Sequence, residues 1–270
     1  MNARAACPVA GRAVLTGATG GIGRAIAHQL APQAESLLLL GRNSQALNSL
    51  RKELLEKYPL LSVGCLAGDL NDTAYQKEIA SFAAENNSNL LVNNAGINQF
   101  GAAARQSQAE QSRIIQTNLL APMLLTQALL PTLLKQPQAQ VVYVGSILGY
   151  IGYPGNAAYC ASKFGLRGYA QAMKRELANT SVQVKYLAPR ATATSINTAA
   201  VNSLNSELGS STDTPAAVAS AFMQLLLSNR FDLKLGFPER LFVFLNQLFP
   251  RVNDAAIRKQ LPVIEKHWSA

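Results

Sequence analysis

The stretch "VLTGATGGIGRAIA", Val14–Ala27, runs a short apolar strand into Gly17, Gly20, Gly21 and Gly23 and then into a helical pattern. Glycine costs backbone entropy, so a cluster of this kind marks a place where the backbone must approach something closely. A strand before it and a helix after it supply what a nucleotide phosphate needs: a tight turn, close approach, and free N–H groups at the positive end of a helix. The competing reading is an ordinary flexible turn. The spacing, TGxxxGxG, is wider than GxGxxG and does not by itself choose among nucleotide-binding families. Thr16, Gly17, Gly21, Ile22 and Gly23 are the candidate residues on this side of a cofactor.

Outward from that turn, short apolar runs alternate with helical stretches. "RAVLTG", "SLLLLG" (Ser36–Gly41), "LSVGCLAG", "LLVNNAG", "QVVYVGS" and "VQVKYLAP" read as strands. They do not alternate with polar residues, as expected when both faces of a sheet are covered. Helices are expected over residues 108–134 and about 156–178, with others between the strands. Strand–helix–strand order implies right-handed crossovers, hence an α/β doubly wound parallel sheet of about seven strands, a Rossmann fold. A single domain over 1–270 is expected, with 237–270 as a helical extension of it.

Composition narrows the function classes. Apolar residues at 49% and charged residues at 14% indicate a globular chain. No uninterrupted apolar run approaches membrane-spanning length, and residues 1–11 hold no signal-peptide core. Cys7, Cys65 and Cys160 lie far apart without metal-like spacing, so free thiols and a cytoplasmic location are expected. With only His28 and His267 present, no metal site is expected. The net charge of +9 comes from scattered basic residues rather than a run, which argues against nucleic acid and leaves phosphate-bearing ligands or an anionic membrane surface.

The second strand ends "LLLLGRN". A carboxylate at that strand end would bond a ribose 2′-hydroxyl and repel a 2′-phosphate. Here Gly41 and Arg42 stand in its place, so NADP(H) is favoured, with NAD(H) not excluded. Arg24 in the first helical turn is a second candidate for the phosphate. A solvated surface arginine is the alternative for Arg42.

"VGSILGYIGYPGNAAYCASKFG" places Tyr159 and Lys163 four apart, on one helical face. An ammonium beside a phenol favours phenolate and brings a group of ordinary pKa near 10 toward the working range. Ser146, at the end of the preceding strand, is placed to hold a carbonyl oxygen. Tyr-x-x-x-Lys also arises by chance, with the tyrosine in a core. Taken with the other motifs, however, the sequence resembles the classical short-chain dehydrogenase/reductase family over nearly its whole length. The matches are Thr16-Gly17-x-x-x-Gly21-x-Gly23, Asp69-Leu70, Asn93-Asn94-Ala95-Gly96, Asn118, Ser146, Tyr159-x-x-x-Lys163 and Pro189. The resemblance implies that Asp69 and Leu70 border adenine, that Asn93–Gly96 stabilise the central strand and line the cofactor cleft, and that Asn118 sits at a helix irregularity and anchors a water in a proton relay. It implies Tyr159 as proton donor or acceptor, Ser146 as the group orienting the substrate oxygen, and Lys163 on the ribose. Thr194 matches the position that bonds the nicotinamide carboxamide.

The sequence departs from the family after "VQVKYLAP". Arg190 follows Pro189 where the family has glycine, so either the loop takes another path, or Arg190 points into the cleft toward an anionic group, or it stands in solvent. Residues 191–214, rich in Ser, Thr and Asn and without clear periodicity, read as a lid. From Pro238 a helix is expected whose Leu241, Phe242, Leu245, Leu248 and Phe249 form one apolar face widened by Val243 and Phe244, ending before Pro250. Core or subunit packing is the expected cover, with the helix also walling a substrate cleft; a membrane surface is the other reading.

These features predict an NADP(H)-dependent oxidoreductase acting on a carbonyl or secondary alcohol, with an apolar or lipid-like substrate. A homodimer or homotetramer is expected, because the two long helices hold more apolar surface than one sheet covers. The alternatives are a non-catalytic cofactor-sensing regulator, disfavoured because Asn118, Ser146, Tyr159 and Lys163 are all present, and a membrane-surface adaptor.

Overall fold

A computed structural model describes residues 11–194 and 196–268; Cys7 lies outside the described residues. The chain runs β1 (Arg12–Thr16), α1 (Gly21–Leu30), β2 (Ser36–Gly41), α2 (Ser44–Lys57), β3 (Ser62–Ala67), α3 (Thr73–Glu85) and β4 (Leu90–Asn93). It continues with α4 (Gln108–Ile115), a π-helical segment (Gln116–Leu120), α5 (Ala121–Leu134), β5 (Ala139–Val144), α6 (Ala157–Glu176) and β6 (Val182–Ala188). The last part is α7 (Ala199–Glu207), α8 (Pro215–Leu227), β7 (Asp232–Lys234), α9 (Glu239–Leu248) and α10 (Pro250–Lys266).

The strands form one parallel sheet of seven in the order β3-β2-β1-β4-β5-β6-β7. The unbroken apolar runs are explained by burial on both faces. In β2, Leu37 and Leu39 enter a core shared with α1, α2 and α8, while Leu38 and Leu40 enter a second core with α3, α5 and α6. Strand order reverses between β1 and β4, and ligands bind such sheets beyond the strand ends at that switch point. The glycine turn after β1, Asn94–Gly96 after β4 and Ser146 after β5 all lie at these strand ends.

Residues Gln108–Leu134 are, by length and composition, long and apolar enough to cross a membrane, although no uninterrupted run suggested it. In the fold Leu125, Leu129 and Leu133 of this stretch are buried in the second core. Two further expectations need correction. Residues 191–214 contain a helix, α7, capped by Thr198, whose side chain accepts from the Val201 N–H. The α9 helix ends before Pro250 as expected, but Pro250 opens another helix, α10. Within the single chain the expected apolar face is covered only in part. Val243, at 2% exposure, is the buried residue of α9, while Leu241, Phe242, Phe244, Leu248 and Phe249 stay exposed.

Candidate active site

The glycine turn is built by contacts that exclude side chains. Gly17 has φ +62°, and a Cβ on it would lie 2.9 Å from the Ala95 Cα; a Cβ on Gly23 would lie 2.1 Å from the Gly17 carbonyl oxygen. Thr16 ties the turn to the end of β4: its Oγ1 accepts from the N–H groups of Asn94 (2.9 Å) and Ala95 (3.0 Å) and donates to the Val92 carbonyl (3.3 Å). The Asn94 amide donates back to the carbonyls of Thr16 (3.0 Å) and Gly17 (3.1 Å). The N-terminus of α1 has no side-chain cap and no acidic residue in its first turn. Its free N–H groups and positive dipole end therefore fit a pyrophosphate.

At the end of β2, Arg42 is exposed and forms no ion pair among the described residues. Arg24, the second candidate, is half-exposed and ion-paired to Glu53 of α2. Asp69 is exposed after β3 and accepts from the Asn71 N–H at 3.0 Å, while Leu70 is half-buried. On the other side of the cleft Thr194 covers the turn, its Cγ2 standing 2.8 Å from where a Gly21 Cβ would be. Ile22 and Pro189 line the adjoining cavity.

Asn118 is fully buried in the π-helical segment. Its side chain accepts from the Ile97 N–H and donates to the Ile97 carbonyl, both at 2.8 Å, and also donates to Ser162 at 3.2 Å. The side chain is thus fully engaged in pinning the segment after β4. Asn93 donates to Thr126 of α5 at 3.2 Å, bracing the central strand as expected of this motif. Gly96 leaves room between two groups: a Cβ there would lie 3.4 Å from Asn118 Oδ1 and 3.5 Å from Lys163 Nζ.

Ser146, Tyr159 and Lys163 converge as the spacing predicts. Ser146 and Tyr159 line one cavity, and Lys163 Nζ lies 5.6 Å from the Tyr159 ring centre. The Ser146 hydroxyl accepts from the Leu148 N–H at 3.1 Å, which fixes its direction. The electrostatics differ from expectation. Burial pushes the Tyr159 phenol up to about 12, with the Ser146 hydroxyl acting the other way. Burial also draws the Lys163 ammonium down to about 8. Lys163 donates to the Val144 carbonyl at 3.1 Å; burial is the largest influence on the phenol.

Arg190 lines the cavity that holds Ser146 and Tyr159, and its guanidinium is held by carboxylates rather than left in solvent. It donates to Asp213 from Nε (2.9 Å) and Nη2 (2.7 Å) and reaches Glu239 of α9 at 3.4 Å. The cavity beside Tyr159 has a volume of about 340 Å³ and a mainly apolar lining. Phe100, Ile147, Leu204 of α7, Phe242 of α9 and Ile257 of α10 form much of its wall. Sequence reasoning missed the polar groups there: Asn98 donates to Asn156 at 2.8 Å, and Tyr153 donates to Gln260 of α10 at 3.1 Å. These pairs join segments distant in sequence, and no local spacing announces them.

A family model for short chain dehydrogenase matches residues 12–205. The chain belongs to the short-chain dehydrogenase family. Dehydrogenase/reductase SDR family member 7B of Bos taurus is 32% identical over 250 residues, covering 88% of this chain and 77% of that protein. The 3-oxoacyl-[acyl-carrier-protein] reductase FabG of Aquifex aeolicus is 30% identical over 177 residues, covering 65% of this chain and 71% of that one. Among solved structures, a short-chain dehydrogenase/reductase from Burkholderia phymatum in complex with NAD superposes with a TM-score of 0.81 at 22% identity, covering 91% of this chain and 96% of that one. A short-chain dehydrogenase from Sphingobium yanoikuyae in complex with NADPH gives 0.76 at 23%, covering 90% and 96%. At those identities the likeness is one of fold. Membership makes the chain an oxidoreductase of the short-chain dehydrogenase type, and its seven-stranded parallel sheet with flanking helices matches the solved structures of such enzymes; α9 and α10 follow the sheet beyond the residues that the family model matches.

Proposed function

We propose that this short-chain dehydrogenase is an NADP(H)-dependent oxidoreductase that interconverts an apolar carbonyl compound and its secondary alcohol. The observation that carries the reading is the convergence of Ser146 and Tyr159 on a mainly apolar cavity beside the glycine turn, with Lys163 behind them. Gly17, Gly21, Ile22, Gly23 and the N–H groups of α1 hold the pyrophosphate of a dinucleotide. Asp69 and Leu70 flank its adenine, and Asn94, Ala95, Gly96, Pro189 and Thr194 flank the nicotinamide side. A nicotinamide cofactor supplies the hydride in reduction and accepts it in oxidation.

The chain's own residues handle the oxygen and its proton. Ser146, directed by its bond from Leu148, donates to the substrate oxygen and fixes its position. Tyr159 gives its proton to that oxygen in reduction and takes it back in oxidation. A phenol pushed up to about 12 stays protonated at neutral pH, which suits the donor role. Lys163 lies close enough to support phenolate once the proton has left. Asn118 holds the π-helical segment and Ile97 so that Lys163 and Gly96 keep their spacing.

Arg42 supports the choice of NADP(H), because a guanidinium without a competing acid is free to bind a 2′-phosphate. The two similar structures bind different cofactors, so the preference rests on this residue. Cys65 and Cys160 are free thiols, in keeping with a reducing, cytoplasmic setting. The test is oxidation of NADPH, followed at the reduced nicotinamide absorbance band, against a panel of aliphatic and aromatic ketones. Turnover with at least one, abolished in Tyr159→Phe, supports the reading. Cofactor binding without turnover on any member would favour a cofactor-sensing protein.

A further inference from the structure

The α9 helix presents to solvent what a core helix would hide. Leu241, Phe242, Phe244, Leu248, Phe249 and Val252 are exposed, and with Phe237 they make up half of the large apolar side chains exposed among the described residues. A contiguous patch of this kind is uncommon on a monomer and marks an interaction surface. Basic residues adjoin it. Arg240, Arg251, Arg258 and Lys259 are exposed and form no ion pair among the described residues; the last three share a shallow surface basin with Asp254. Glu239, the acid in the first turn of α9, is already taken by Arg190.

Phe242 belongs to two surfaces. It is 43% exposed on the apolar face and also lines the cavity that holds Tyr159. The opposite side of α10 does the same work, since Asn253, Ala256, Ile257 and Gln260 line that cavity. The mouth of the cavity therefore opens beside the exposed face. We propose that α9 and the start of α10 dock on an anionic lipid bilayer and take an amphiphilic carbonyl or alcohol from it into the cavity past Phe242. The delivery step rests on the oxidoreductase reading, whereas the docking does not.

Charge selects the bilayer over a second copy of the chain. A two-fold contact through this face would set the same basic patch of one subunit against that of the other, like charge against like in a drying interface. A bilayer takes the aromatic and leucine side chains into its acyl boundary and offers anionic headgroups to the arginines.

The test is co-sedimentation of the full chain with vesicles of phosphatidylcholine alone and of phosphatidylcholine doped with phosphatidylglycerol. The chain is expected to pellet with the doped vesicles and to be released by salt. Phe244→Glu with Leu248→Glu, at two exposed positions outside the cavity, should abolish pelleting while leaving the melting temperature and NADPH-dependent reduction of a soluble ketone unchanged. Arg251→Gln with Arg258→Gln and Lys259→Gln should weaken binding to doped vesicles roughly a hundredfold at low salt. The docking is overturned if the wild-type chain pellets with neither vesicle. It is equally overturned if the Phe244/Leu248 variant converts a dimer to monomers. Vesicle binding without turnover on any ketone would instead remove the oxidoreductase reading and leave the docking standing.

Discussion

Lys163 is a cation held where charge is costly, 3% exposed, with the Val144 carbonyl as its hydrogen-bond acceptor. Its pKa of about 8 lies below the ordinary lysine value of 10.5, so between those values the unfolded chain binds more protons than the folded one. Stability contributed at this position therefore rises with pH across that window. Lys163→Met should raise stability at pH 7 by about 1–3 kcal/mol, the Val144 bond offsetting part of the desolvation, while abolishing turnover. Thermal melts from pH 7 to 10 check this: the gap between the two proteins should narrow as pH rises. Tyr159→Phe keeps the ring and removes only the hydroxyl, so NADPH binding should survive while turnover falls by about 10²–10⁴-fold. Arg42→Ala should bring the Kd for NADPH toward that for NADH, at a cost of about 1–3 kcal/mol to the former. Titration of both cofactors reads it, and equal affinities in the wild-type chain would remove the NADP(H) preference.

At the scale of elements, Arg190 joins three segments: the end of β6, the approach to α8 through Asp213, and the first turn of α9 through Glu239. A Cβ on Gly236 would strike Glu239 and Arg190, so the turn before α9 is shaped around this cluster. Arg190→Gly restores the residue usual in the family and strands two carboxylates. It should destabilise the chain by about 1–3 kcal/mol and raise KM more than it lowers kcat, because the cavity wall loosens while Tyr159 stays in place. Thermal melts together with steady-state kinetics check both parts. This cluster was hidden from the sequence because its partners lie 23 and 49 residues away. The sheet was legible because strands buried on both faces must read as unbroken apolar runs, and Tyr159 and Lys163 were legible because one helical turn links them. The α7 helix was not, since its Ser- and Asn-rich sequence buries only Leu204. In α9 the sequence reveals an apolar stripe, but which side is covered depends on α10, and α10 packs against Val243's side.

On the whole molecule a second apolar surface remains, distinct from α9. Leu120 of the π-helical segment, Leu124 of α5 and Phe164 of α6 are exposed. They flank a tight seam: a Cβ on Gly165 would lie 2.8 Å from the Leu119 side chain, so α6 and the π-helical segment abut there with no room for a bulkier residue. Two helices packed that closely make a flat platform, and a two-fold axis through it buries each exposed leucine and phenylalanine twice. Stable interfaces remove about 800 Å² per partner, an area that two long helices side by side can supply. Light scattering at micromolar concentration should therefore show a dimer or tetramer. Leu124→Glu with Phe164→Glu should yield monomers, because a contact through this patch would bury four unpaired carboxylates of like charge, two from each subunit. That variant should still pellet with anionic vesicles, since α9 is untouched. A wild-type chain that scatters only as a monomer would mean that these helices are covered by something other than a second subunit.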